Sequence, residues 1–442
     1  MAMIGISEGM QMLNATHEPG RRSWLDSANS ADCNFPLQNL PHGVFSLPGQ
    51  PRRGGVAIGD RILDMAGALE AGLFAGDLYE VAASASAPEL NALMAQESAA
   101  LSALRTRLQR LLEAGATERG TVAPLLVPMA DAQLHLPAAI GAFTDFMTSA
   151  PHIAAARPAR KEGVLPPCFW DLPIAYNSRA SSVVVTGVPL ERPYGQYRGP
   201  DGAVFGPVKA LDFELEFACF LGRGNDLGRP IRLDEARDHI FGYCLLNDWS
   251  ARDVQVWESV LGPFQAKAFR TTISPWVVTS EAMAPFRQPM DTADRPRPPP
   301  HLDSPANWRD GGLAIRFQAG IRTARMRQAG EAPHPLTRTD FTSSAWSFEQ
   351  MITHHAIGGC NLQTADLLAS GTLSGPDLES AACLAEITGG RAPVSLPNGE
   401  TRLWLEDGDE LILTGRAVRE GFVSIGFGVC AAEVLPPVPF TP

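Results

Sequence analysis

Two glutamates lie two residues apart within an apolar run that predicts a buried strand. Glu214 and Glu216 belong to the run LDFELEFACFL, which extends from Leu211 to Leu221. Since side chains alternate across a strand, both carboxylates point to one face and the apolar residues between them to the other. The apolar residues that follow predict a central strand. Like charges buried side by side are costly unless a cation lies between them. A solvent-facing pair on an amphipathic strand is the alternative.

Two further runs add acids. Asp248 follows the apolar strand 243–246 in NDWSARDVQ, and Asp145 precedes His152 in FTDFMTSAPH. Functional residues are often found where strands end in loops. Together with Glu214 and Glu216 these aspartates provide four carboxylates and no sulfur. If they converge, that set suits a hard cation such as Mg²⁺ or Ca²⁺ rather than Zn²⁺.

One lysine stands out because lysine is rare in this chain. Among 36 Lys and Arg residues, the lysines are Lys161, Lys209 and Lys267. A chain so rich in arginine had little need of lysine as a mere surface cation. A retained lysine therefore indicates a position that needs a compact ammonium, and Lys267 is the candidate near the acidic runs.

Composition narrows the class of protein. The 442 residues carry a formal net charge of −12 and 45% hydrophobic residues, which is typical of a globular chain that does not bind nucleic acid. No apolar run is long enough to span a membrane. Seven scattered cysteines without a CxxC argue against disulfides and against a cysteine-type zinc site. With no secretory pattern at the N-terminus, we expect a cytoplasmic protein.

Turn signals divide the chain into three parts. Residues 1–32 are polar and aperiodic and predict a flexible extension. Residues 33–130 begin with short apolar segments broken by Gly and Pro, which predicts β-hairpins, and continue with a helix over 87–114. Residues 131–442 alternate strand-like runs with turns and predict a β-rich domain, in which 347–357 is the best candidate helix.

Longer runs carry a resemblance to a known family. They include FPLQNLPHGVFS from Phe35, GYCLLNDWSARDVQVWE from Gly242, LGPFQAKAFRTTISPW from Leu261 and THHAIGGCNLQTADLLASGTLSGP from Thr353, besides the acidic runs above. These runs follow one another in order from about residue 33 to the C-terminus. The chain resembles the fumarylacetoacetase family over that whole range.

The resemblance implies a fold and an activity. It implies a mainly β protein of the α+β kind, with an N-terminal SH3-like barrel domain and a C-terminal mixed β-sandwich roll that forms a homodimer. It also implies hydrolysis of the carbon–carbon bond of 4-fumarylacetoacetate, a diketo dicarboxylate, to fumarate and acetoacetate. That reaction is the last step of tyrosine and phenylalanine catabolism.

The resemblance also assigns roles to residues. It makes His152 the base and Glu386 its carboxylate partner, and it makes Arg252, Gln255 and Lys267 the groups that stabilise oxyanion charge. It places the metal, Mg²⁺ or Ca²⁺, on Asp145, Glu214, Glu216 and Asp248, with Lys267 and Thr271 beside it. Tyr176, Gln255 and Thr372 fall on substrate contacts.

The sequence departs from the family pattern at the substrate. Met147 and Ser259 stand where the family has tyrosines, and Met147 is kept as a substrate-side candidate. The substrate-binding arginine falls in a shortened loop, where Arg160 is our candidate and Arg157 and Lys161 are alternatives. These changes keep open a related acylpyruvate or β-diketone hydrolase, although small relatives of that kind generally lack the N-terminal barrel. A non-catalytic metal- and dicarboxylate-binding protein is a third reading, against which His152, Glu386 and Lys267 together argue.

Overall fold

A computed structural model of the chain describes residues 13–155, 164–258, 260, 262–291 and 295–441. The short apolar segments of the first part form an antiparallel five-stranded sheet, here called the N-terminal sheet, in the order β4-β3-β2-β1-β5. Its strands are β1 (His42–Ser46), β2 (Arg53–Ile58), β3 (Arg61–Asp64), β4 (Leu126–Pro128) and β5 (Gln133–His135). The predicted hairpins are confirmed, and Gly59, with a φ of 58°, forms the tight turn between β2 and β3.

Helices lie between β3 and β4: α1 (Met65–Glu70), α2 (Leu78–Ser86), α3 (Asn91–Met94), α4 (Ser98–Leu112) and α5 (Arg119–Val122). The single helix predicted over 87–114 is wrong, because α3 and α4 are separate. The Asn91 side chain donates to the carbonyl of Ala139 and accepts from its N–H. These bonds tie α3 to the connection with the second part, and Glu97 then adopts an extended conformation before α4 begins.

Residues 13–32 pack on α4. Arg105 Nε donates to Thr16 Oγ1 over 3.0 Å, and the Trp24 indole donates to the carbonyl of Leu111 over 3.1 Å. This part of the expected extension therefore belongs to the packed N-terminal unit, and residues 1–12 lie outside the described residues. The domain boundaries themselves stay a prediction.

The rest of the chain is rich in strands. They are β6 (Phe143–Phe146), β7 (Ala175–Ser178), β8 (Val183–Val185), β9 (Leu190–Glu191), β10 (Tyr194–Gly199), β11 (Gly202–Pro207), β12 (Leu211–Asp212), β13 (Leu215–Leu221), β14 (Ile240–Asp248), β15 (Ser250–Ala251), β16 (Thr271–Ile273), β17 (Val278–Thr279), β18 (Arg287–Gln288), β19 (Gly312–Leu313), β20 (Ile315–Arg322), β21 (His334–Asp340), β22 (Leu367–Ala369), β23 (Val394–Ser395), β24 (Thr401–Arg402), β25 (Glu410–Ala417) and β26 (Ile425–Leu435).

Among the described residues, the α-helices that accompany these strands are α6 (Ala150–Ala155), α7 (Arg252–Glu258), α8 (Gln265–Ala268), α9 (Pro305–Asp310), α10 (Ala324–Gln328), α11 (Phe348–Ala356) and α12 (Leu384–Ile387). The helix predicted over 347–357 is α11, which begins after a capping box at Ser347. None of the helices in the described part of the chain is long and apolar enough to cross a membrane.

Eight of the strands form the central sheet. Its order is β7-β6-β22-β13-β14-β16-β8, and β17 pairs with β14. All seven residues of β13 are buried. The prediction of a central, buried strand is therefore confirmed, although the strand begins at Leu215, one residue after Glu214.

The central sheet is covered on both faces. On one face, the ring of Phe217 lies 5.4 Å from Phe317 and 4.9 Å from Phe427, which belong to a second five-stranded sheet, β21-β20-β25-β26-β9. On the other face, Phe220 and Leu246 join the apolar cluster of the N-terminal unit. The fold is mainly β, and its two units share a continuous core.

One glycine sets how closely two strand ends of the central sheet approach. Gly371 follows β22 and has a φ of 75°, in the left-handed region that favours glycine. A Cβ at this position would lie 2.0 Å from the carbonyl oxygen of Phe146, at the end of β6. No side chain other than hydrogen fits there without moving one strand end.

We expect Gly371→Ala to lower the melting temperature more than Gly72→Ala does. Gly72 has a φ of 72° and no atom within 4 Å of its would-be Cβ, so alanine there costs only the left-handed strain of about 1–2 kcal/mol. At Gly371 the steric overlap adds about 1–3 kcal/mol. Thermal denaturation of both variants measures the difference, and equal shifts would contradict the close approach of β6 and β22.

Candidate active site

Three buried carboxylates meet at one edge of the central sheet. Asp145 lies near the end of β6, Glu216 near the start of β13 and Asp248 at the end of β14. Because β13 runs antiparallel to β14 and to β22, which is itself parallel to β6, these strand ends share an edge. One ligand oxygen from each residue lies within 4.8 Å of the other two. We call these residues the acidic trio.

Part of the acidic trio is satisfied by hydroxyl groups. Tyr176, opposite Asp145 on β7, donates to Asp145 Oδ2 over 2.6 Å and to Asp248 Oδ2 over 2.9 Å. Thr271 Oγ1 donates to Asp248 Oδ1 over 3.2 Å. Burial raises the pKa of Tyr176, so the phenol keeps the proton that it donates.

The other oxygens of the trio have no partner. Asp145 Oδ1 and both oxygens of Glu216 are buried without a hydrogen bond. Burial raises the pKa of Asp145 and of Glu216 well above the usual range, and the neighbouring carboxylates raise it further. Unpaired buried oxygens among like charges are costly, and a bound cation would satisfy them. The donor set is all oxygen and fits a hard divalent cation.

Glu214 faces cations instead of the trio. Its carboxylate accepts from Lys267 Nζ, and its Oε1 lies 2.7 Å from Arg252 Nη1. Burial raises the pKa of Glu214, but Lys267 and Arg252 lower it more, so the pKa lies well below its usual range. Glu214 is therefore an ionised, paired carboxylate. Its assignment as a metal ligand stays a prediction.

Lys267 connects Glu214 to the trio. From α8, its Nζ lies 2.8 Å from Asp248 Oδ2 and donates to Ser250 Oγ over 2.7 Å. Burial lowers the pKa of Lys267, but Asp248 and Glu214 raise it more, so the ammonium stays charged. The lysine singled out by its scarcity is a buried counter-ion, which is a use for which an ammonium and a guanidinium differ.

Arg252 has N–H donors that are not all used in hydrogen bonds. Its Nε donates to Asp212 Oδ2 over 2.9 Å, and its Nη1 donates to Gln255 Oε1 over 3.0 Å. Its Nη2 is buried without a hydrogen-bond partner. A guanidinium that two carboxylates hold in place, and whose Nη2 still lacks a partner, is suited to an oxyanion.

A histidine–glutamate pair lies beside these cations. His152, on α6, has Nδ1 3.2 Å from Glu386 Oε2 and Nε2 3.8 Å from Glu214 Oε1. Glu386 Oε2 also accepts from Ser374 Oγ over 2.5 Å. Burial raises the pKa of Glu386, but His152 and Ser374 lower it more, so the group is ionised. A carboxylate at one ring nitrogen of a histidine favours the tautomer in which the other nitrogen is a base.

The substrate-side candidates are placed only in part. Thr372, just after Gly371, has a buried Oγ1 without a partner, and Met147 is half-buried directly after β6. The candidates Arg157, Arg160, Lys161 and Ser259 lie outside the described residues. The structure thus brings together the predicted acids, the two cations and the histidine. The identity of the substrate-binding arginine stays a prediction.

Sequence reasoning missed Asp212, which links two parts of the site. This fully buried carboxylate accepts from Arg252 Nε and also from the N–H groups of Leu384 and Ala385, at 2.7 and 3.0 Å, where α12 begins. Helix α12 carries Glu386. The sequence signal for Asp212 was that it is the third acid in LDFELE. The argument from strand alternation considered only Glu214 and Glu216 and so did not include Asp212.

These features define a class of protein before any relative is considered. An acidic cluster that fits a divalent cation, a histidine–carboxylate pair and unpaired cationic donors are the parts of a metal-assisted hydrolase. Comparison with known proteins gives the particular family. Two family models match: Fumarylacetoacetase N-terminal over residues 38–137 and Fumarylacetoacetate (FAA) hydrolase C-terminal over residues 143–435.

Individual relatives agree with the family models. The fumarylacetoacetase of Bos taurus is 44% identical over 423 residues, which cover 92% of this chain and 98% of the relative. That of Oryza sativa is 40% identical over 432 residues, or 95% of this chain and 98% of the relative. The structure of a fumarylacetoacetate hydrolase from Exiguobacterium antarcticum has a TM-score of 0.48 and 16% identity over 90% of this chain and 99% of that chain, a likeness too weak to carry an argument. The chain belongs to the fumarylacetoacetase family.

We expect Glu216→Gln to stabilise the metal-free protein, because it removes a buried carboxyl whose charged form is disfavoured by burial and by the neighbouring carboxylates. The same change should abolish the rise in melting temperature that Mg²⁺ or Ca²⁺ produces, which for a site filled at 100 times its Kd corresponds to about 2.7 kcal/mol. Melting curves with chelator and with each cation measure both effects. Glu235→Gln, at an exposed carboxylate, is the control and should change neither. An unaltered cation response in Glu216→Gln would exclude the trio as the site.

We expect Asp212→Asn to lower kcat/KM by about 10²-fold, because displacing groups by about 1 Å has effects of that size. The asparagine NH₂ group would face N–H donors, and Arg252 and α12 would shift. Asp409→Asn is the matched control: Asp409 is equally buried and accepts from Arg402 at 2.8 and 2.9 Å. Both variants should lose about 1–3 kcal/mol of stability. Only Asp212→Asn should lower activity, and equal activity losses would assign Asp212 a purely structural role.

Proposed function

We propose that this chain hydrolyses the carbon–carbon bond of 4-fumarylacetoacetate to give fumarate and acetoacetate, the last step of tyrosine and phenylalanine catabolism. The observation that carries the proposal is the joining of a His152–Glu386 pair, two buried cations and the acidic trio at one sheet edge. Relatives named fumarylacetoacetase match nearly the whole chain, which supports the same substrate.

The acidic trio would hold the metal, Mg²⁺ or Ca²⁺, with Glu214 as the further predicted ligand and Thr271 beside it. When bound, the cation would polarise the ketone oxygens of the substrate and stabilise the enolate that leaves. Tyr176 and Thr271 orient Asp145 and Asp248 by donating to oxygens of both carboxylates. Lys267 offsets the charge of Glu214 and Asp248. It lowers the pKa of Glu214, and it opposes the rise that burial causes in the pKa of Asp248.

His152 acts as the base. With Nδ1–H directed at Glu386, the ring offers the lone pair of Nε2 to a water molecule and takes its proton as the oxygen attacks the carbonyl carbon. The carboxylate of Glu386 stabilises the imidazolium that forms. The same proton is then available to the carbon of the leaving acetoacetate. Ser374 holds Glu386 in place by donating to Oε2.

Arg252, Gln255 and Lys267 stabilise negative charge on the substrate oxygen. The unpaired Nη2 of Arg252 provides donors that need no reorganisation, because Asp212 and Glu214 already fix the guanidinium. Preorganised donors of this kind contribute strongly to catalysis of acyl transfer. Burial strengthens the effect because water is excluded.

Substrate recognition involves Tyr176, Gln255, Thr372 and Met147 around the reacting centre. The free hydroxyl of Thr372 supports its role as a contact. A basic residue of the segment after α6, Arg160 or its neighbours Arg157 and Lys161, would bind a substrate carboxylate.

Met147 specifically favours a second candidate, a related acylpyruvate or β-diketone hydrolase. A thioether in place of a phenol removes a hydrogen-bond donor from the substrate side, which fits a less polar substrate. The N-terminal match over residues 38–137 favours fumarylacetoacetase. A non-catalytic metal- and dicarboxylate-binding protein fits the His152–Glu386 pair less well.

We further propose the finer architecture and setting that the family implies: an SH3-like N-terminal barrel, a C-terminal β-sandwich roll, a homodimer and a cytoplasmic location. The curled N-terminal sheet with its two-residue turn and the second sheet packed on the central sheet support the first two proposals. The net charge of −12 is in keeping with a partner that is a small molecule rather than nucleic acid.

We expect the purified protein to consume 4-fumarylacetoacetate, to lose this activity on chelation and to regain it with Mg²⁺ or Ca²⁺. His152→Ala should lower kcat by about 10²- to 10⁴-fold. His354→Ala, on α11, is the control and should keep the activity. Loss of substrate absorbance measures the rates, with acylpyruvates as competing substrates. Faster turnover of acylpyruvates would reassign the enzyme, and no turnover of any diketone would favour the binding protein.

A further inference from the structure

A second group of metal-binding side chains lies beside the acidic trio and differs from it in chemistry. One ligand atom each from His152, Cys383 and Glu386 lies within 4.8 Å of the other two. The Cys383 thiol donates to Glu386 Oε2 over 3.1 Å, and His152 Nδ1 lies 3.2 Å from the same oxygen. We call these residues the soft-ligand group.

The donor atoms of this group select a different kind of metal. The trio offers only oxygen, whereas the soft-ligand group offers nitrogen, sulfur and oxygen, which suit Zn²⁺ or Co²⁺ and not Mg²⁺ or Ca²⁺. Metal–ligand distances of about 2.0–2.3 Å in a tetrahedral site place ligand atoms about 3.3–3.8 Å apart. Glu386 Oε2 lies 3.1 Å from the Cys383 sulfur and 3.2 Å from His152 Nδ1, close to that range, and the three ligand atoms lie within 4.8 Å of one another.

The histidine supplies an independent observation. His152 is 9% exposed, and its buried Nδ1 completes no hydrogen bond although it lies 3.2 Å from Glu386 Oε2. A buried ring nitrogen that lies near a thiol and a carboxylate and completes no hydrogen bond is available to coordinate a metal. Three protein ligands would leave a fourth position for water, as in open zinc sites.

We propose that His152, Cys383 and Glu386 bind a zinc-like divalent metal and that its binding blocks hydrolysis. The ion displaces the thiol proton of Cys383, which goes to solvent, and forms bonds to Sγ, Nδ1 and a Glu386 oxygen without any redox change. A neutral imidazole coordinated through Nδ1 carries its proton on Nε2. His152 can then no longer accept a proton from water. The binding stands by itself, whereas the inhibition rests on the proposed role of His152.

Sequence reasoning could not find this site. The absence of CxxC argued against a cysteine-type zinc site, and that argument holds for sites with two cysteines close in sequence. Here one cysteine lies one turn before Glu386, at the start of α12, and the histidine comes from α6, far away along the chain.

Cobalt binding tests the site without any assay of activity. Co²⁺ is added to protein saturated with Mg²⁺, so that the acidic trio is occupied, and the near-ultraviolet charge-transfer band of a cobalt–thiolate bond is recorded. We expect the band in the unmodified chain and in Cys360→Ser, which removes an exposed thiol. We expect its loss in Cys383→Ser and a weaker band in Glu386→Gln, with folding of each variant checked by circular dichroism. A missing band in the unmodified chain, or one that survives in Cys383→Ser, would overturn the proposal.

Zinc inhibition tests the consequence. At saturating Mg²⁺, Zn²⁺ should inhibit hydrolysis, and the inhibitory concentration should rise at least about tenfold in Cys383→Ser relative to that variant's own rate without zinc. Cys360→Ser should respond like the unmodified chain. Equal inhibition of Cys383→Ser would show that zinc acts at the carboxylates instead and would refute the inhibitory role. If the chain hydrolysed no diketone, the cobalt band would still decide whether the site exists.

Discussion

The structure depends on the burial of four carboxylates at one edge of a sheet with too few cations beside them. Lys267 and Arg252 offset part of this charge and pair with Glu214 and Asp248. The oxygens of Glu216 and one oxygen of Asp145 remain without partners. Like charges in a water-excluded position are stable only when a proton or a cation neutralises them. The fold therefore maintains a charge deficit that a divalent metal satisfies.

The surrounding elements keep that deficit in place. Strands β6 and β14 end, and β13 begins, at one edge, because β13 runs antiparallel to β14 and to β22 while β22 runs parallel to β6. Gly371 lets the end of β22 approach the end of β6 closely. Both faces of the sheet are covered, by the N-terminal cluster on one side and by the second sheet on the other. Asp212 then connects Arg252 to the helix of Glu386, so that the proposed oxyanion donor and the proposed partner of the base share one support.

The same compactness brings unlike metal ligands together. The oxygen atoms of the trio suit a hard divalent cation, whereas the thiol of Cys383 near His152 and Glu386 suits a softer ion. Glu214 lies between the two groups, paired with cations and close to His152. The two groups of ligands lie beside each other at this edge, so which metal binds at each depends on the type of donor atom that the group offers.

Much of the chemistry was readable from the sequence, because it depends on local spacing. Alternation in LDFELEFACFL predicts the central strand and the shared face of its glutamates, and the scarcity of lysine indicates Lys267. The single helix over 87–114 was a wrong prediction, because Glu97 is extended between α3 and α4 and because contacts with Ala139, distant in sequence, fix the start of α3 at Asn91. Their spacing of two residues likewise predicted the same environment for Glu214 and Glu216, whereas only Glu214 is paired with cations.

What the sequence by itself determined is the set of residue types, their strand faces and, through the long matching runs, the family. Only the tertiary structure decided that Glu214 pairs with Lys267 and Arg252 while Glu216 stays unpaired, that Asp212 contacts both Arg252 and the start of α12, and that Cys383 lies near His152. The physical reason is the distance along the chain over which each feature is determined. The face of a strand follows from backbone geometry over two residues, whereas charge pairing and coordination act over about 3 Å between side chains whose positions in the chain are far apart.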